Sequence, residues 1–97
     1  MSETSFLGTL ETIIERRLSE APEGSYTARL AAQGTIKVAQ KVGEEGVELA
    51  LAAAAQDKGR VVSEAADLLY HLLLLLRLRE LKLADVLAEL ETRHRTR

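Results

Sequence analysis

Apolar residues recur along this chain at intervals of three and four, and no stretch alternates apolar with polar residues as a half-buried strand does. Residues 6–18 place Phe6, Leu10, Ile13, Ile14 and Leu18 on one face, predicting a first helix whose exit is the Pro22-Glu23-Gly24 connection. Ser25 can cap a short helical turn through Leu30, closed by Gly34. Thr35 is the N-cap expected for a long helix to about Gln56, where Asp57-Lys58-Gly59 reads as a tight connection. A second long helix is predicted over residues 60–81. A last one, over 84–95, carries Val86, Leu87 and Leu90 on one face and ends in the basic tail His94-Arg95-Thr96-Arg97. The fold class is all-α, a bundle of four to five helices. No repeat, low-complexity linker or boundary interrupts it, so residues 1–97 are expected to form a single domain.

Each helical residue advances about 100°, so residues three or four apart share a face. On the first long helix Lys37, Lys41, Glu44 and Glu48 fall in one narrow stripe, with Glu45 beside them; on the second, Arg60, Glu64, Asp67 and His71 do the same. Outside those stripes the two helices carry Val42, Val47, Leu49, Leu51, Val62, Leu68, Leu69 and the run Leu72 to Leu76. A helix that is apolar around most of its circumference belongs in an interior, so the charged stripes are expected to line a cleft. Two such helices carry more apolar surface than so small a subunit can cover. The simplest resolution is a homodimer, with the bundle completed across a two-fold axis.

Composition narrows the functions open to such a bundle. A net charge of -2 drawn from interspersed acids and bases argues against a nucleic-acid surface. With no cysteine there is neither a disulfide framework nor a thiolate metal site, which suits a reducing cytosol. Residues 1–5 lack the basic start and apolar core of a signal sequence. The longest apolar runs, residues 49–55 and residues 68–76 interrupted by His71, fall well short of the ~20 residues that span a bilayer. A cytoplasmic chain with no membrane partner is expected.

Glu45-x-x-Glu48 and Glu64-x-x-Asp67 are two carboxylate pairs at i and i+3, one on each long helix. Antiparallel packing would face them toward each other, where each pair of charges repels by roughly 1 kcal/mol in water and ~4 at an effective dielectric near 20. A positive partner is needed, and oxygen-only ligands favour a hard cation: Mg²⁺, with Mn²⁺ as the alternative. Lys41 and Lys37, one and two turns upstream, are placed to meet phosphate groups. Gly43 and Gly46 cost ~1 kcal/mol each inside a helix relative to Ala, which suggests that something approaches the backbone there. Plainer readings stand beside these. An isolated Glu-x-x-Glu is common on solvated helices, the lysines can pair with Glu44 and Glu45 along their own helix, and His71 can be a satisfied core histidine. Tyr70 and the leucine run read as core or interface. The whole chain could be a non-catalytic dimerisation module with solvated acidic stripes. The doubled pattern on two otherwise apolar helices favours a site.

The spacing Glu-x-x-Glu then Glu-x-x-Asp on successive helices resembles the metal-binding signature of the MazG-like all-α nucleotide pyrophosphohydrolases. Ser25-Tyr26-Thr27-Ala28-Arg29-Leu30, Lys41-Val42-Gly43-Glu44-Glu45 and Glu64-Ala65-Ala66-Asp67-Leu68-Leu69-Tyr70-His71-Leu72-Leu73 are similar to the phosphoribosyl-ATP pyrophosphatase family over nearly the whole chain. Position 46 is glycine where alanine or another small residue is expected. The resemblance implies hydrolysis of phosphoribosyl-ATP, a small-molecule nucleotide, to phosphoribosyl-AMP and pyrophosphate, the second step of histidine synthesis. It implies Glu45, Glu48, Glu64 and Asp67 as Mg²⁺ ligands, and Glu44 and Glu45 as catalytic groups that ligate or orient the attacking water. Lys37 and Lys41 would meet the phosphates, and Tyr26, Arg29 and His71 the nucleotide. The cyclohydrolase domain to which the family is sometimes fused is not expected beside this one. The nearest rival is a house-cleaning nucleoside triphosphate pyrophosphatase with the same metal site, from which the segment 25–30 and the Tyr70-His71 pair distinguish it.

Overall fold

The computed structural model describes residues 4–95, so residues 1–3 of the N-terminal segment and Thr96 and Arg97 of the basic tail lie outside the described residues. The described residues form five helices and no strand. Helix α1 (Thr4–Glu20) leads to α2 (Tyr26–Ala32), where Ser25 caps as expected, its Oγ accepting from the Ala28 N–H at 3.1 Å.

Helix α3 (Thr35–Ala55) corrects one expectation: its N-cap is Gly34, and Thr35 is already helical. The chain turns there with φ +99° and ψ 164°, a region that costs glycine little and a β-branched threonine a great deal. Helix α4 (Lys58–Leu78) starts two residues before its expected position because Asp57 is a true cap, Oδ1 accepting from the Arg60 N–H at 2.9 Å. It also ends three residues early. Glu80 adopts φ +60°, Leu81 N–H donates to Leu76 O at 2.8 Å and Glu80 N–H to Arg77 O at 3.0 Å, the paired bonds of a Schellman stop. Helix α5 (Leu83–Arg95) is tied to α1 by Glu11 Oε2, which accepts from the Leu83 N–H at 2.7 Å.

The core gathers Ile14 of α1, Leu30 of α2, Val38 of α3 and Leu73 and Leu74 of α4, with Leu7, Leu10, Leu18, Tyr70, Leu75, Leu78 and Leu83 packed around them. It therefore lies at one end of the α3–α4 hairpin, under α1 and α2. Toward the Gln56-Asp57 connection Ala52 is buried, yet Val47, Leu51, Val62 and Leu69 are exposed. The accessible surface is 6889 Å², against about 5,500 Å² for a compact monomer of this mass. The radius of gyration is 14.7 Å, where about 12.5 Å is usual for this length. The part of the hairpin that carries Val47, Leu51, Val62 and Leu69 is thus uncovered. Nothing lies within 4 Å of a Cβ placed at Gly43 or Gly46, so no described part of this chain approaches their backbone. No helix among the described residues is long and apolar enough to cross a membrane.

Candidate active site

Helices α3 and α4 run antiparallel, and their register brings the acidic pairs together. Glu45 of α3 meets His71 of α4, with Glu45 Oε1 2.6 Å from His71 Nδ1. Nearer the connection, the Glu48 carboxyl stands against that of Glu64. Glu64 is 4% exposed; its Oε1 accepts from Arg60 Nη2 at 2.6 Å, while Oε2 is buried without a partner. The adjoining Glu48 carboxyl, with which a protonated Glu64 could share its hydrogen, then burial and the Glu48 and Asp67 charges, pushes the Glu64 pKa above the ordinary 4.5, against the pull of Arg60. Glu45 is 6% exposed, and burial raises it above 4.5 as well, with Asp67 adding to the rise and His71 and Lys41 opposing it. Both buried carboxyls are thus harder to ionise than free ones, because burial and neighbouring carboxylates outweigh the positive charge around them.

His71, also 6% exposed, has both ring nitrogens engaged. Nδ1 lies 2.9 Å from the Asp67 carbonyl oxygen and Nε2 lies 2.8 Å from the Tyr26 hydroxyl. Although Glu45 Oε1 is closer to Nδ1 than the carbonyl is, it has no aligned hydrogen bond, since Nδ1 directs its bond at Asp67 O. The Tyr26 and Tyr70 rings meet the imidazole edge-on, with centroids at 5.7 Å and 5.3 Å. The Tyr70 hydroxyl in turn shares a hydrogen bond with buried Thr27.

The sequence-predicted residues divide accordingly. Glu45, Glu48, Glu64, Asp67 and His71 lie together on the facing sides of the hairpin, with Glu48 and Asp67 exposed at its open side and Lys41 close enough to Glu45 to act on its charge. Glu44 is not with them: it faces solvent and accepts from Gln40 Nε2 at 3.0 Å, because one residue along a helix turns a side chain by about 100°. Lys37 lies a turn beyond Lys41 and is partly exposed, and Arg29 is exposed on α2. Arg60 and Thr27 were not singled out as site residues. Arg60 was legible as the i, i+4 partner of Glu64, whereas Thr27 pairs with Tyr70 from 43 residues away. Among the described residues no three or more His, Asp or Glu side chains converge into a ready metal cluster. A groove of about 600 Å³ is lined by Thr12, Glu15, Arg16, Leu18, Ser19 and Arg77, and none of the α3–α4 carboxylates borders it.

Against this geometry, comparison with known proteins is decisive. Residues 7–94 match the phosphoribosyl-ATP pyrophosphohydrolase family. This chain belongs to that family. The phosphoribosyl-ATP pyrophosphatase of Pyrobaculum neutrophilum is 61% identical over 89 residues, covering 92% of this chain and 95% of the relative. The histidine biosynthesis bifunctional protein HisIE of Xanthomonas campestris is 53% identical over 92 residues, 95% of this chain but 45% of the relative. That of Shewanella oneidensis is 55% identical over 89 residues and is covered to 42%. The chain thus spans less than half of these bifunctional relatives and nearly all of the Pyrobaculum one. The matched span includes Glu45, Glu48, Glu64 and Asp67.

Proposed function

We propose that this chain hydrolyses phosphoribosyl-ATP to phosphoribosyl-AMP and pyrophosphate, the second step of histidine biosynthesis, in the cytoplasm, with Mg²⁺ or Mn²⁺ held by Glu45, Glu48, Glu64 and Asp67. The observation that carries the reading is the pair of buried acidic oxygens, Glu45 Oε1 and Glu64 Oε2, left without an aligned donor across the hairpin. A buried acceptor without a partner costs about 1–3 kcal/mol. A hard divalent cation is the partner that two carboxylates with raised pKa values require. The donor set, oxygen only and without cysteine, fits that cation. Because the side chains do not converge on their own, binding has to reorient the exposed Glu48 and Asp67 toward the two buried carboxylates.

When bound, the metal supplies a polarised phosphate and a water of lowered pKa. The chain does the rest. Glu45, within the acidic cluster, is better placed than Glu44, which faces away from it, to accept the proton of the attacking water. Water adds at the α-phosphorus, the bond to the bridging oxygen breaks, and pyrophosphate leaves with charge that Lys41 and Lys37 offset. No protein nucleophile takes part. Arg29, exposed on α2 beside the cluster's Tyr26, is placed for the nucleotide end.

The exposed apolar side of the hairpin supports a homodimer as the working unit. The test is direct. Purified protein with phosphoribosyl-ATP and Mg²⁺ should release pyrophosphate, and EDTA should stop it; release that persists in EDTA contradicts the metal reading.

A further inference from the structure

We infer that Tyr26 and His71 are positioning residues for the Glu45 carboxylate and not contacts to the nucleotide; the inference rests on the metal reading above. His71 has no ring nitrogen to offer a ligand. Both neighbours of Nδ1, the Asp67 carbonyl at 2.9 Å and Glu45 Oε1 at 2.6 Å, are acceptors, so Nδ1 carries the hydrogen. Nε2 is then the acceptor for the Tyr26 O–H at 2.8 Å. The result is a directed chain, Tyr26 O–H to Nε2 and Nδ1–H toward Asp67 and Glu45, that joins α2 to α4 and α3.

Consecutive residues of α2 hold this chain. Tyr26 contacts the imidazole edge-on at an interplanar angle of 83°. Thr27, fully buried, holds the Tyr70 hydroxyl, and the Tyr70 ring closes the other side of His71 at 86°. A seven-residue helix, fixed at its start by the Ser25 cap, thereby sets the orientation of the imidazole that Glu45 meets. Outer partners that orient a metal ligand typically change metal affinity when removed. Contacts to a nucleotide change KM instead.

The experiment titrates the full-length chain with Mn²⁺, without nucleotide, by calorimetry, and measures KM for phosphoribosyl-ATP at saturating Mg²⁺. The variants are Tyr26→Phe, His71→Asn and His71→Gln, with Glu48→Gln as control. The amide nitrogen of Asn stands where Nδ1 stood, and that of Gln where Nε2 stood. His71→Gln should weaken Mn²⁺ binding about tenfold or more, with KM held within about twofold. His71→Asn should lose less, and Tyr26→Phe, which removes a single oxygen and leaves the ring packed, should give a smaller loss in the same direction. Raised KM with Mn²⁺ affinity intact overturns the inference in favour of nucleotide contact. Equal losses for Asn and Gln that track a lowered melting temperature overturn it in favour of packing. Unchanged Mn²⁺ affinity in His71→Gln, while Glu48→Gln loses binding, overturns it and leaves the metal reading standing. If Glu48→Gln also binds normally, the metal reading falls and the inference with it.

Discussion

Glu48 and Asp67 stand at the open side of the acidic cluster, so either can be neutralised without opening the core. Glu48→Gln or Asp67→Asn should abolish pyrophosphate release, because a neutral amide oxygen is a poor ligand for a hard cation. Without metal, the same variants should be as stable as wild type or slightly more so, since one like charge is gone from a crowded group. Full activity, or a loss of metal-free stability in thermal unfolding, contradicts the assignment for that residue. The raised pKa values add a dependence on pH. Glu45 and Glu64 hold their protons to higher pH in the fold than in the unfolded chain. Their stabilising effect is therefore complete below the ordinary value of 4.5 and is lost as pH rises through the raised values. The metal-free melting temperature should fall over that window, and less so in Glu64→Gln; identical pH curves for the two proteins contradict it. The carboxylates themselves were legible in the sequence, because a charged stripe on an apolar helix is a pattern of spacing. What Tyr26 and His71 do was not, since the partner of each hydroxyl and ring nitrogen depends on how α2 lies against α4.

Among elements, helix limits followed side-chain chemistry wherever a cap could be named. Ser25 behaves as its type predicts. Asp57 was read as part of a connection and is the N-cap of α4, which is why that helix begins at Lys58. Asp57→Ala should lower stability by about 1 kcal/mol, the usual cost of losing an aspartate cap. Urea unfolding with an unchanged midpoint would return Asp57 to an incidental role. The early end of α4 was hidden because its C-terminal stop uses Glu80 at positive φ where glycine is the usual signal. The displaced start of α3 has the opposite origin: Gly34 carries the signal, and a threonine beside it drew attention as the better cap by residue type.

At the scale of the molecule, the sequence implied more apolar surface than one subunit can cover, and the fold leaves Val47, Leu51, Val62 and Leu69 in the open. Light scattering across a range of concentrations should give the mass of a dimer; a constant monomer mass contradicts it. All-α architecture was legible because it depends only on local periodicity and on the absence of alternation. The proposed dimer partner and the proposed cation lie outside a single chain, and local periodicity carries no geometry for either. The central claim is that this site acts on phosphoribosyl-ATP, and the most direct measurement compares kcat/KM for that nucleotide with kcat/KM for ATP and other nucleoside triphosphates, by pyrophosphate release in Mg²⁺. The account predicts a preference for phosphoribosyl-ATP of at least about a hundredfold. Equal or greater efficiency on any ordinary nucleoside triphosphate would contradict it.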